Sequence, residues 1–235
     1  MDISITALQV ADPPQAWRAA GFRVDDDATC RIGGLRIRLL GDSERRGIVG
    51  WELYGDPPLP AEIDGIPTSR ASAPAPTDPA PTHPNGVTHI DHLVLMTPDP
   101  DRTSAVLAGL GQEPRRERRG ELGGAAMRQI FYRFGDLIVE MVGPLEAAPD
   151  AADTPAHLWG LTHVADLDTA TALLGETAGR PKDAVQPGRR ITTLRTRDLG
   201  MSVRTALITP HVRRSQVTPS DTENDTENHT EEAAQ

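Results

Sequence analysis

The chain has one cysteine, Cys30, in 235 residues. A lone thiol forms no intramolecular disulfide and no thiolate metal cluster. Lysine is almost missing too: of 24 basic residues only Lys182 is not an arginine, a coding preference rather than a mechanism. No apolar run approaches the roughly 18 residues that a membrane span needs. Met1-Asp2-Ile3-Ser4 has no basic region leading into an apolar run, so neither a signal peptide nor a membrane partner is expected, and the expected location is the cytoplasm. The net charge is −10 and no basic stripe stands out, which argues against nucleic acid as a partner. No Ser-His-Asp or Cys-His arrangement can be assembled, and no glycine-rich phosphate loop is present.

What remains is a modest apolar fraction of 37%, with 21 Gly and 21 Pro. Residues 1–55 read as a β-α-β-β-β module: a strand from Ile3 to Val10, a short helix after Asp12-Pro13-Pro14, and three further strands ending at Tyr54. Residues 56–86 are rich in Pro and Ala and read as a semi-extended linker, whose first part, Leu59 to Ile66, could lie along the domain. The β-α-β-β-β order then returns twice, over 87–145 and 156–212, together one domain. Each unit has an acidic turn after its first strand: Asp12-Pro13, Asp99-Pro100 and Asp166-Leu167. Residues 213–235 carry six carboxylates (Asp221, Glu223, Asp225, Glu227, Glu231, Glu232) with no basic residue after Arg214, and read as a disordered acidic tail. The predicted fold class is α+β, built from repeats of roughly 50 residues that bury their faces in pairs. The odd unit left over is expected to pack either on its own chain's pair or on another chain, the latter giving a homodimer.

Two polar residues stand alone in apolar strands. His92 lies in His89-Ile90-Asp91-His92-Leu93-Val94-Leu95-Met96, and Glu140 lies in Leu137-Ile138-Val139-Glu140-Met141-Val142. A polar group there is costly unless something satisfies it. The pair either bonds to each other, orients an organic ligand, or shares a metal ion. Strand alternation puts His92 with Val94 and Met96, and Glu140 with Ile138 and Val142, so both can face one concave side.

From Ile90 to Pro144 the chain resembles the vicinal oxygen chelate superfamily, which includes glyoxalases, extradiol dioxygenases and bleomycin-resistance-type binding proteins. Ile90-Asp91-His92-Leu93-Val94-Leu95 with Pro98-Asp99 is similar to that family's first strand and turn. Arg128-Gln129-Ile130-Phe131-Tyr132-Arg133-Phe134-Gly135 and Ile138-Val139-Glu140-Met141-Val142 are similar to its last two strands. The resemblance is weaker through Leu158-Trp159-Gly160-Leu161 to Pro210, and weakest over residues 1–55. It implies paired modules around a ligand cleft, with a metal ligand on the first strand and a glutamate on the last strand of each module. His92 and Glu140 fall on those positions, and a divalent ion (Zn, Ni, Mn or Fe) is the implied cofactor, unless none is bound. Glu140 is the implied catalytic residue.

The third unit departs from this pattern, with Trp159 and Ala206 at the corresponding positions. In the first unit Ile5 replaces the histidine while Glu52 is retained, so pairing units one and two would add Glu52 to His92 and Glu140; otherwise Glu52 is a strand residue facing solvent. Trp159 is expected to fill or floor the cleft, with Gln129 beside it. Arg189 is a candidate for an anionic substrate, although adjacent Arg189 and Arg190 face opposite sides of a strand and solvated positions are the plainer reading. The resemblance implies a metal-dependent lyase, isomerase or dioxygenase acting on a small oxygenated molecule. The alternative is a metal-free protein that sequesters a small molecule in the same cleft.

Overall fold

The computed structural model describes residues 3–211 apart from 43, 57, 76–79, 123, 148 and 150. The acidic tail and the middle of the Pro-rich segment, expected to be disordered, lie outside the described residues.

The C-terminal half is one eight-stranded sheet. Its first unit runs β7 (Val87–Met96), α2 (Pro100–Gly109), β8 (Arg116–Leu122), β9 (Ala125–Phe134), β10 (Leu137–Pro144). Its second runs β11 (His157–Ala165), α3 (Leu167–Leu174), β12 (Lys182–Asp183), β13 (Arg190–Thr193), β14 (Arg204–Ile208). In each unit the first strand lies parallel to the last: β7 to β10 and β11 to β14. The units join where β7 and β11 run antiparallel. Strands here alternate: Leu93, Leu95, Val139, Met141, Ile130 and Tyr132 are buried in the core, while His92, Val94, Met96, Gln129 and Phe131 sit partly open on the other face. Asp99 and Asp166 cap α2 and α3, each accepting two backbone N–H groups of the first turn.

The N-terminal half is a six-stranded sheet with β1 (Ser4–Val10), α1 (Pro14–Ala19), β2 (Thr29–Ile32), β3 (Leu35–Leu39), β4 (Ile48–Tyr54), β5 (Glu62–Ile63) and β6 (Ile66–Arg70), in the order β2-β3-β1-β4-β6-β5. Here β1 lies parallel to β3 and antiparallel to β4, while β4 lies parallel to β6. So β4 does not close the first unit, as the order of elements suggested. It opens a second, reduced unit that continues through β5 and β6. The segment read as a linker therefore contributes two strands. Their turn, Ile63-Asp64-Gly65-Ile66, has Asp64 at φ 48° and Gly65 at φ 83°, the left-handed pair that a two-residue hairpin demands.

The two sheets share one core. Trp51 of β4 packs on Phe134 of β9 with ring centroids 5.7 Å apart, and Phe22 lies 5.3 Å from His163 of β11. Asp12 does not cap α1. Its carboxylate accepts from Trp17 Nε1 at 3.0 Å and from the backbone N–H of Ser202 at 2.6 Å, tying the halves together. Among the described residues no helix is long and apolar enough to cross a membrane.

Candidate active site

The partly open face of the eight-stranded sheet carries a chain of polar side chains that crosses six strands or their flanks. A β-bulge starts it. Thr162 of β11 pairs with His92, but the next residue, His163, pairs with Ile90, so Asp91 is the extra residue on β7. A bulge re-aims side chains. Here it lets neighbours that normally face opposite ways meet: His92 Nδ1 lies 2.8 Å from Asp91 Oδ2. Asp91 Oδ1 in turn lies 2.7 Å from Arg189 Nη1. Burial raises the Asp91 carboxyl, but hydrogen bonds from His92 and Arg189 outweigh it and hold it at about 2. An ionised Asp91 keeps the imidazole hydrogen on Nδ1 and leaves Nε2 facing the cleft.

Nε2 lies 3.0 Å from Thr162 Oγ1 and 3.3 Å from Glu140 Oε2. Glu140 Oε1 accepts from Gln129 Nε2 at 2.7 Å, and Gln129 Oε1 accepts from Arg118 Nε at 2.8 Å. Side-chain exposures of 15% for His92 and 10% for Glu140 leave both edges reachable by a small molecule, yet largely shielded from water. Beside them a cavity of about 260 Å³ is lined by Val94, Trp159, Thr162, Arg204 and Ala206 among others. Arg204 stands over the Trp159 ring at 5.0 Å.

Of the residues singled out in the sequence, His92, Glu140 and Gln129 are brought together, and Trp159 lines the adjoining cavity. Glu52 is elsewhere: on β4 it meets Arg38 Nη2 at 3.0 Å and Arg36 Nη2 at 3.9 Å, on a different sheet. The reason is topological, since β4 pairs antiparallel with its neighbour whereas β10 runs parallel to β7, so Glu52 is not the counterpart of Glu140. Arg189 is not a cleft residue either. Its side chain is only 1% exposed, and its guanidinium is bound to Asp91 and, through Nε, to the Thr209 carbonyl at 2.7 Å. The residues that sequence reasoning passed over are Asp91, Thr162 and Arg118. Asp91 next to His92 was visible, but a bulge leaves no mark in a strand pattern. Cys30 is buried, which pushes its thiol up and keeps it inert.

No family model and no curated protein sequence matches the chain. Solved structures do. A mutant of 4-hydroxymandelate synthase from Streptomyces coelicolor aligns over 92% of this chain and 94% of its own, with 11% identity and a TM-score of 0.58. The chain shares the fold of that synthase. Methylmalonyl-CoA epimerase from Mycobacterium tuberculosis aligns over 54% of this chain and 90% of its own, with 18% identity and a TM-score of 0.41. The Streptomyces coelicolor epimerase in complex with 2-nitronate-propionyl-CoA aligns over 54% and 99%, with 20% identity and a TM-score of 0.40. The first match extends over both sheets, so the likeness of fold covers both halves of the chain.

Catalytic sites for a divalent ion take three protein ligands. His92 Nε2 and Glu140 Oε2 supply two. Among the described residues no group of three or more His, Cys, Asp or Glu is placed to hold an ion. Gln129 turns its amide N–H₂ towards Glu140, and Thr162 offers a neutral hydroxyl to Nε2. The residues present do not fit a resident ion.

Proposed function

We propose that the protein is a small-molecule enzyme of the proton-transfer kind, a lyase or isomerase, working in the cleft of its eight-stranded sheet. The observation that carries this reading is His92 Nε2 at 3.3 Å from Glu140 Oε2, with Nδ1 already committed to Asp91. His92, its hydrogen held on Nδ1, accepts a proton at Nε2 from a carbon or hydroxyl of the substrate. Asp91 stabilises the imidazolium that results, and the buried Arg189 keeps Asp91 ionised and in place. Glu140, on the neighbouring strand β10, takes or returns a second proton. Gln129 Nε2 fixes its orientation. The small cavity beside the pair, with Trp159 as one wall, gives a substrate a partly enclosed seat. His92 and Glu140 are two donors where a catalytic ion takes three from the protein, so the proton transfer falls to the side chains themselves.

The test is solvent exchange. A panel of small carbonyl and α-hydroxy carbonyl compounds is incubated in D₂O with the protein, and deuterium uptake is followed by NMR. Uptake into one compound is expected, falling by about 10²–10⁴-fold in His92→Ala and Glu140→Gln. Uptake that is unchanged in both variants overturns the assignment.

A second reading has its own support. Trp159 and Ala206, at positions where the resemblance implies ligands, line the cavity of about 260 Å³ with Val94 and Leu161. An apolar cavity of that kind suits sequestration of an organic compound without chemistry. Tight binding of a compound that never exchanges or turns over would favour it.

A further inference from the structure

The 3₁₀ turn Thr196–Leu199, between β13 and β14, and the loop before β4 frame a groove of about 680 Å³. Arg46, Arg195, Arg197 and Arg204 line it, and Asp198 is the one carboxylate among its lining residues. Arg46, Arg195 and Arg197 have no carboxylate partner among the described residues. In a chain of net charge −10, four guanidinium groups in one groove against one carboxylate are a local reversal of sign. The floor is fixed, not loose: Gly47 N–H donates to Ser202 Oγ at 2.6 Å, and Ser202 N–H donates to the buried Asp12 at 2.6 Å. The groove also opens into the cleft. Leu194, Thr196 and Arg204 line both it and the cavity beside His92, and Arg204 reaches from the groove to the Trp159 ring.

Clustered like charges repel, and a compact polyanion relieves that repulsion. Guanidinium forks match phosphate oxygens two at a time. We propose that the groove binds the phosphate or pyrophosphate group of a phosphorylated organic substrate, whose other end reaches His92 and Glu140. This rests on the cleft being the reacting site. It assigns Arg195 and Arg197 to affinity, not to chemistry, and Arg204 to the junction between the two. The competing occupant is the chain's own tail, with its six carboxylates after Arg214.

The experiment is calorimetric titration of the full-length protein with inorganic pyrophosphate in low salt. Three variants run alongside it: Arg195→Ala/Arg197→Ala, His92→Ala, and a chain whose six tail carboxylates are changed to their amides. Saturable one-site binding is expected in the wild type, weakened at least tenfold in the double arginine variant and weakened by added salt. His92→Ala and the tail variant should bind as the wild type does. Equal binding by the double arginine variant, or no saturable binding, overturns the proposal. Binding that appears only when the tail is neutralised also overturns it and makes the tail the groove's occupant. The two proposals fail separately: pyrophosphate binding without any proton exchange sinks the reaction assignment alone, and exchange of unphosphorylated compounds without pyrophosphate binding sinks this one alone.

Discussion

At the scale of single residues, two buried groups set the pH behaviour. The folded Asp91 carboxyl lies at about 2, below its ordinary value near 3.9. Its contribution is present above about 4 and is lost as pH falls from there towards about 2. Solvent screening of this partly open carboxylate keeps its contribution below the ~2.6 kcal/mol that the full shift would give. Asp91→Asn should remove this acid-sensitive component. At pH 7 it should cost about 3 kcal/mol, because it leaves the buried Arg189 charge without its partner. Urea unfolding of both proteins at pH 7 and pH 3 measures this; an Asn variant as stable as the wild type at pH 7 contradicts it. His163 works in the same direction for a different reason. Its ring is fully buried, both nitrogens lack a hydrogen-bond partner among the described residues, and desolvation holds it down at about 3. The unfolded chain binds a proton there below about 6.5 and the folded chain does not. Stability therefore falls as pH drops from about 6.5 towards 3. His163→Leu should flatten the melting temperature between pH 7 and pH 4.5. A wild-type-like slope in the variant would show that the histidine is paired in solution. The apolar setting of His163 was visible in the sequence. Its lack of a partner was not, because partners are chosen by tertiary packing against Phe22, far away in the chain.

Elements carried most of what could be read ahead of the structure. The two C-terminal units follow from alternation and from the acidic turns, and Asp99 and Asp166 do cap the helices they precede. Replacing either with Ala should cost about 1 kcal/mol, as a lost N-cap does. The same substitution at Asp12 should cost more, because its buried carboxylate holds Trp17, Ser202 and Val203 and caps no helix. Equal losses at all three positions, in thermal melts, would contradict that distinction. The N-terminal half was less legible. Glu52-Leu53-Tyr54-Gly55 resembles Glu140-Met141-Val142-Gly143 as a string, yet one strand opens a unit and the other closes one. Pairing partners are non-local, and a strand's sequence does not say which edge it joins. The Asp64-Gly65 hairpin signal was present, but it was overshadowed by the prolines around it.

For the whole molecule, the shared core decides how the halves behave. Trp51 on Phe134, Asn85 Nδ2 on the Ala20 carbonyl at 2.8 Å and Asp12 on Ser202 all cross between them. One cooperative calorimetric transition is expected; two separated transitions would show that the sheets fold independently. The odd unit that pointed to a homodimer is paired within the chain itself, which removes that argument for a second copy. In the proposed function His92 and Glu140 act as an acid–base pair without a metal, held in register by Asp91. Long-range ¹H–¹⁵N NMR of the histidine rings tests it most directly. His92 is expected to carry its hydrogen on Nδ1, its Nε2 resonance to move in Glu140→Gln, and one equivalent of Zn²⁺, Mn²⁺ or Ni²⁺ to leave it in place. Stoichiometric loss or shift of the Nε2 signal on adding one of those ions would contradict it.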